Sequence, residues 1–403
     1  MTTAPAVGPA PVATSAQLAV RWHVVVGAAL LLASVPIVHL VWHVLLGHDV
    51  PVIRTRGQAA APPPTAANVF DGSWMPAKER ELQEASPIVW WLRSGWNEAL
   101  YRAGLPRSAH VHFGRDEWFF LQATVRPDRE LFLQRREVRR RFFTAVRDRV
   151  RAAGAELFVS LVPDKARLHP ELAFADGVLP GAVQPNYGEV LAELHALGIP
   201  TVDLVAAVAT ARAAAPAQEL WFRRDTHWRP EGALVAAQAI AAAIEAGPIG
   251  ARLSPRVQVE LFGKETIRLI GDLTAMCGLG TIEAEAGHAL PMSLLTERLA
   301  EDRSYYGIVL RDQGRPLPLH GDTPDAEVVV AGTSFAIENG WKALSVALGR
   351  PVRAVEARGA GGTEPIRTVL RQLDDPAVAR PRLVIWEIVE RGLFEPEWRD
   401  PRP

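Results

Sequence analysis

The chain has 403 residues, 48% hydrophobic and 22% charged, with 44 Lys and Arg against 45 Asp and Glu for a formal net charge of -1. So even a balance excludes the basic excess with which nucleic-acid binders gather phosphate; no nucleic-acid partner is expected, and attraction for an acidic polymer has to be local. The one cysteine, Cys277, excludes an intramolecular disulfide, and a chain of this length needs no such staple.

In chain order, residues 1 to 23 form an N-terminal tail rich in Ala, Pro and Thr. Residues 24 to 46 (Val24 to Leu46) are 23 positions without Asp, Glu, Lys or Arg, long enough as a helix to cross about 30 Å of hydrocarbon. This run reads as a transmembrane anchor. A cleaved signal peptide is the competing reading, but the run is long for one, and the nearest small-residue tract, Ala59-Ala60-Ala61, lies far beyond its end. Arg21 precedes the segment and Arg54 and Arg56 follow it, so the flanking charge does not set its orientation. Residues 47 to 67, with Pro62-Pro63-Pro64 among alanines, read as a semi-rigid linker. Residues 68 to 403 are expected to be one large domain.

Within that domain, Arg129 to Ala153 reads as a long Arg-rich helix whose run from Arg135 to Arg141 is an exposed face. Glu156 to Val162 is a strand, Tyr187 to Leu197 a helix, Pro200 to Leu204 a strand, and Pro230 to Ala246 a helix opened by proline in its first turn. The Val-rich run Glu327 to Ala331 is a buried strand, followed by a helix from Ile337 to Leu348. Val352 to Glu356 and Leu383 to Ile388 are further strands, with Glu364 to Leu373 helical between them. Strands alternating with helices predict an α/β fold, a parallel sheet covered on both faces, with its site at the carboxyl ends of the strands.

Two segments carry candidate chemistry. Asp225-Thr226-His227-Trp228 offers an imidazole with a carboxylate two residues before it, and Gly332-Thr333-Ser334 puts a hydroxyl at a strand-to-helix turn. A serine hydroxyl is a weak nucleophile at neutral pH; it needs a neutral imidazole to take its proton and a carboxylate to fix the imidazole's tautomer. At such a turn the free amides of the helix start can stabilise an oxyanion. Each half has a plainer reading: Ser334 can simply cap the following helix, and Asp225 with His227 can be a structural pair or two metal ligands. Against metal, His169, His195 and His288 are scattered without ligand spacing, so no metal is expected. The order Asp, His, Ser, and Ala336 where Gly-x-Ser-x-Gly needs its second glycine, exclude the α/β-hydrolase elbow. Arg223, Arg224 and Lys165 are candidate substrate contacts near this site; Trp228 reads as packing behind His227, and Asp272 has no assigned role.

An ordered series of short motifs then becomes informative. It runs Val69-Phe70-Asp71-Gly72, Gly114-Arg115-Asp116-Glu117-Trp118-Phe119-Phe120, Val162-Pro163-Asp164-Lys165, Asp225-Thr226-His227-Trp228, Gly271-Asp272-Leu273, Gly332-Thr333-Ser334-Phe335 and Trp386-Glu387. In these the chain resembles the AlgJ/AlgX-type alginate O-acetyltransferases, and the AlgJ type more closely, for want of an evident carbohydrate-binding module after the catalytic domain. The resemblance implies an SGNH hydrolase-like domain, with Ser334 as nucleophile, His227 as general base and acid, and Asp225 as its orienter. It further implies transfer of acetyl groups to hydroxyls of an alginate-like exopolysaccharide through an acetyl-serine. It implies a single-pass protein of the bacterial inner membrane with its catalytic domain in the periplasm. No sequence here resembles a nucleotide-binding loop, so no bound cofactor is expected, and the resemblance implies a multi-spanning membrane-bound O-acyltransferase as the acetyl donor. A carbohydrate acetyl esterase and a non-catalytic component of a polysaccharide secretion complex are the alternatives.

Overall fold

The computed structural model describes residues 87–279, 281–283, 289–291, 296–312, 315–319, 323, 325–356, 362–394 and 398, with scattered positions between 63 and 76. Contacts divide the chain into two compact units, Met1–Gly95 with Ile282–Met292, and Trp96–Thr281 with Ser293–Pro403. The expected membrane anchor, Val24 to Leu46, lies outside the described residues; among these, no helix is long and apolar enough to cross a membrane.

Among the described residues, the strands of the second unit are β1 (Val111–Phe113), β2 (Phe119–Leu121), β3 (Glu156–Val162), β4 (Val259–Leu269), β5 (Glu301–Asp312), β6 (Arg315–Leu319), β7 (Val328–Gly332), β8 (Val352–Glu356) and β9 (Leu383–Val389). Its principal helices are α1 (Arg136–Ala152), α2 (Gln184–Ala196), α3 (Leu204–Ala214), α4 (Pro230–Ala246), α5 (Trp341–Leu348) and α6 (Glu364–Asp374). The four-stranded sheet has the order β8-β7-β9-β3 and is parallel throughout, with Trp386 opposite both Val159 and Ala331. Successive strand side chains point to opposite faces, and here both faces are covered. Phe158, Val330 and Ile385 pack with Ile240 of α4 and Leu344 of α5. Val159, Val329 and Trp386 pack with Phe143 of α1, Val190 of α2 and Ile366 of α6. Burial on both faces is why β3, β7 and β9 are near-continuous apolar runs, and the expected two-faced parallel α/β sheet is what forms.

Three local expectations are corrected. The Arg-rich helix is not continuous: Arg129–Gln134 ends at Arg135 and α1 begins at Arg136. Arg139 is not on an exposed face but fully buried, its guanidinium 4.4 Å from the Phe132 ring centre and 3.4 Å from Glu193. Pro200 to Leu204 makes only a single parallel bridge, Thr201 to Val159, because the Asp203 carboxylate accepts the amides of Val205 and Ala206 and starts α3. The antiparallel sheet β4-β5-β6 and the hairpin β1-β2 were not anticipated.

Candidate active site

The parallel strands of the main sheet place their carboxyl ends on one edge, and Ser334 follows the carboxyl end of β7. β7 ends at Gly332, and the chain turns through Thr333 into a helix that starts at Ser334 and passes through a π-helical stretch, Ala336–Gly340, into α5. A Cβ on Gly332 would lie 2.5 Å from both the Ala336 Cβ and a Glu387 carboxylate oxygen, so only glycine admits this close approach. Glu387, on β9 and fully buried, accepts hydrogen bonds from the Thr333 amide at 2.6 Å and from the Thr333 hydroxyl at 3.0 Å. Burial, opposed by these bonds, pushes its carboxyl up to about 7. The amides at this turn are thus not all free: that of Thr333 is turned inward, and that of Phe335 reaches the Thr333 hydroxyl at 3.3 Å.

Asp225 and His227 sit on a loop closed like a hairpin. Trp221 bridges Trp228 in antiparallel fashion, the Phe222 amide donates to the His227 carbonyl at 3.2 Å, and the Arg229 amide donates to the Leu220 carbonyl at 2.8 Å. Trp228 is buried and meets Phe335 edge-on, ring centres 5.2 Å apart, while the His227 ring lies 4.7 Å from Phe335. This packing holds the imidazole against the residue that follows Ser334. The result is a continuous relay: Asp225 Oδ1 lies 2.6 Å from His227 Nδ1, and His227 Nε2 lies 2.6 Å from Ser334 Oγ. With a neutral ring, Nδ1–H donates to the carboxylate and Nε2 accepts the serine proton, the tautomer that base catalysis needs.

Further groups fix the relay. The second oxygen of Asp225 accepts the Asp272 amide at 2.8 Å and pairs with the guanidinium of Arg303. A Cβ on Gly271 would fall 2.1 Å from the Arg224 carbonyl, so glycine lets the 271–272 backbone lie directly on the loop. The Asp272 carboxylate accepts the Thr226 amide at 2.7 Å and hydroxyl at 2.5 Å. Burial disfavours ionised Asp225, but the His227 hydrogen bond and charge, then Arg303, outweigh it and hold its carboxyl well below the usual range. Burial also disfavours imidazolium, yet Asp225, with Glu338 and Asp272, holds His227 above its ordinary value.

The sequence-predicted residues therefore separate into two sets. Ser334, His227 and Asp225 meet. Lys165 is buried, and its ammonium donates to the carbonyls of Phe222, Arg223 and Asp225 at 3.1, 3.0 and 2.8 Å. Burial lowers it to about 8 despite the acidic groups around it. Lys165 thus pins the loop from beneath rather than facing a ligand. Arg224 is buried against Glu117, and Arg223 reaches to Glu219 at 2.5 Å. Arg303, Glu301, Asp272 and Glu387 are the site groups that sequence reasoning missed or left without a role. A lone acid in the apolar run Leu383 to Val389 was a readable signal for Glu387; Arg303 lies 78 positions from its partner Asp225 and had none.

Among the described residues, Asp225, His227 and Asp272 are one group able to offer three metal-ligand atoms within 4.8 Å. Their donor atoms are already used: Asp225 by His227, Asp272 and Arg303, and Asp272 by Thr226. The Arg303 charge further opposes a cation there.

Residues 111–390 match the family model described as SGNH hydrolase-like domain, acetyltransferase AlgX. A protein named probable alginate O-acetylase AlgJ, from Pseudomonas putida, is 29% identical over 74% of this chain and 75% of its own length. Its counterpart from Pseudomonas fluorescens is 28% identical over 81% and 79%. The solved O-acetyltransferase domain of Pseudomonas putida AlgJ superposes with a TM-score of 0.55 at 26% identity, covering 72% of this chain and 94% of that domain. Pseudomonas aeruginosa AlgX, at 19% identity and a TM-score of 0.50 over 71% of this chain and 67% of its own, shares the fold.

Proposed function

The chain belongs to the family of SGNH hydrolase-like domains of the AlgX acetyltransferase type, and on that premise we propose that it is an O-acetyltransferase acting on hydroxyls of an exopolysaccharide. The observation that carries this reading is the unbroken relay Asp225, His227, Ser334, with 2.6 Å at each step. Names of relatives as alginate O-acetylases support a uronate-containing acceptor.

The reaction has two halves. Ser334 Oγ attacks the acetyl carbonyl of a donor as His227 Nε2 takes its proton, and the proton then leaves with the departing group. A sugar hydroxyl next attacks the acetyl-serine, giving its proton to His227, which returns it to Ser334 Oγ as the acetyl–serine bond breaks, so that the ester of Ser334 is exchanged for an ester of the sugar and the free enzyme is restored. Because the Thr333 amide is held by Glu387, the oxyanion falls to the amide of Ser334 itself at the start of its helix. Asp225, kept ionised, stabilises the imidazolium formed in each half. In this reading Val24 to Leu46 anchors the chain in a bacterial inner membrane, the domain faces the periplasm, and a multi-spanning membrane-bound O-acyltransferase supplies acetyl.

Transfer and hydrolysis share this relay and differ in what reaches the acetyl-enzyme. Given an activated acetyl ester with uronate or neutral oligosaccharides, the full chain in detergent should give acetylated sugar in preference to free acetate. Acetate alone with every acceptor, together with removal of acetyl groups from acetylated polymer, would identify an esterase.

Activity should also fall on acidification, because only neutral imidazole accepts the serine proton. The His227 pKa is raised, so the midpoint of this limb is expected above ~6.5, the value of a free histidine. Rates across pH with the same ester measure it. A limb that starts only well below that value, or a rate abolished by chelator and restored by zinc, would contradict the assignment.

A further inference from the structure

We propose that Glu301 and Arg303, at the start of β5, are positioning residues that clamp the loop bearing Asp225 and His227. This rests on the catalytic reading of that loop. Residues i and i+2 of a strand face the same way, so one face of β5 presents both side chains together, and each is 9% exposed. The Glu301 carboxylate accepts two consecutive loop amides, Arg223 at 2.9 Å and Arg224 at 2.8 Å. The Arg303 guanidinium pairs with the next residue, Asp225, lies 4.9 Å from the Phe222 ring centre, and has its other arm 3.6 Å from Glu338. Lys165 takes the carbonyls of Phe222, Arg223 and Asp225 in the same stretch. The amides of Arg223 and Arg224, the carbonyls of Phe222, Arg223 and Asp225, and the Asp225 carboxylate are thus held by buried charged side chains.

Arg303 does two things that the loop cannot do alone. It occupies the Asp225 oxygen that His227 does not use, which stops the carboxylate rotating out of line with the imidazole. It also sets a positive charge beside the dyad. The charged groups acting on His227 are Asp225, Glu338 and Asp272, all acidic, and Arg303 pairs with two of them, Asp225 and Glu338. Removing Arg303 leaves the acids in excess and makes imidazolium harder to deprotonate.

The experiment uses the full chain in detergent with an activated acetyl ester and compares Arg303→Met, Arg303→Lys and Ser334→Ala with the wild type. Arg303→Met should move the acidic limb up by about one pH unit and cut kcat by roughly 10²-fold with KM little changed. Arg303→Lys keeps the charge but not the flat two-armed head; its limb should stay in place while kcat falls by roughly 10-fold. Wild-type kcat and limb in both variants overturn the clamp. If Arg303→Met does not fold, Arg303→Lys decides alone, and full kcat in it overturns the proposal. Activity surviving in Ser334→Ala would instead bring down the catalytic reading, so the two failures are told apart.

Discussion

Ser334→Ala is expected to lower the rate of acetyl transfer on the order of 10⁶-fold, the scale seen when a triad nucleophile is removed and only binding and oxyanion contacts remain. The loss is chemical rather than structural. Ser334 is partly exposed, and its hydroxyl bonds only to His227 Nε2 among the described contacts, so truncation opens no cavity in the core. Stability should fall by only about 1 kcal/mol, the net worth of the one hydrogen bond lost. Initial rates and a thermal melt on the same preparation check both halves. A rate within tenfold of wild type, or acetylated polymer persisting in cells that carry only Ser334→Ala, would make the chain a scaffold of a secretion complex.

Asp225→Asn is expected to slow turnover by about 10⁴-fold, the cost of a triad carboxylate replaced by its amide. An asparagine oxygen can satisfy His227 Nδ1–H or Arg303, but not both. If its NH₂ faces His227, the imidazole proton moves to Nε2, and no lone pair is left there for the Ser334 hydroxyl. In either orientation the Arg303 guanidinium loses its charged partner at Asp225, and Glu338 at 3.6 Å is the carboxylate that remains to it. Breaking a buried ion pair by removing one partner costs about 3 kcal/mol, so the melting temperature should drop with the rate. Assays well below the new melting temperature separate the two effects. A variant with full rate would show that Asp225 is not the orienter of His227.

Much of this site was legible because its chemistry is local. Asp225 and His227 are two residues apart, and Ser334 follows a run of valines that reads as a strand because burial on both faces leaves no room for polar alternation. The same logic made β3 and β9 readable, and Pro230 marked the start of α4. What was not legible is what packs from a distance. β4 is exposed along most of its length and changes register between Phe262 and Lys264, so it lacks the period-two apolar pattern that announces a strand. β5 could not be found by that route either, and with it Glu301 and Arg303 stayed hidden, though they hold three consecutive residues of the loop that carries Asp225 and His227. Lys165 was noticed for its place after a strand, but only the packing of 222–225 over its ammonium turns it from a candidate ligand contact into an internal fastener.

In the proposed reaction an acetyl group rests on Ser334 on its way to a sugar. Full-length protein charged with an isotopically labelled activated acetyl ester, quenched in acid and digested, should yield label on the peptide containing Ser334 and none in the Ser334→Ala protein. A chase with oligosaccharide before quenching should empty that peptide and move the label to the sugar. Label that never appears on Ser334 while sugar is still acetylated, or that leaves only as acetate whatever acceptor is present, would contradict the account.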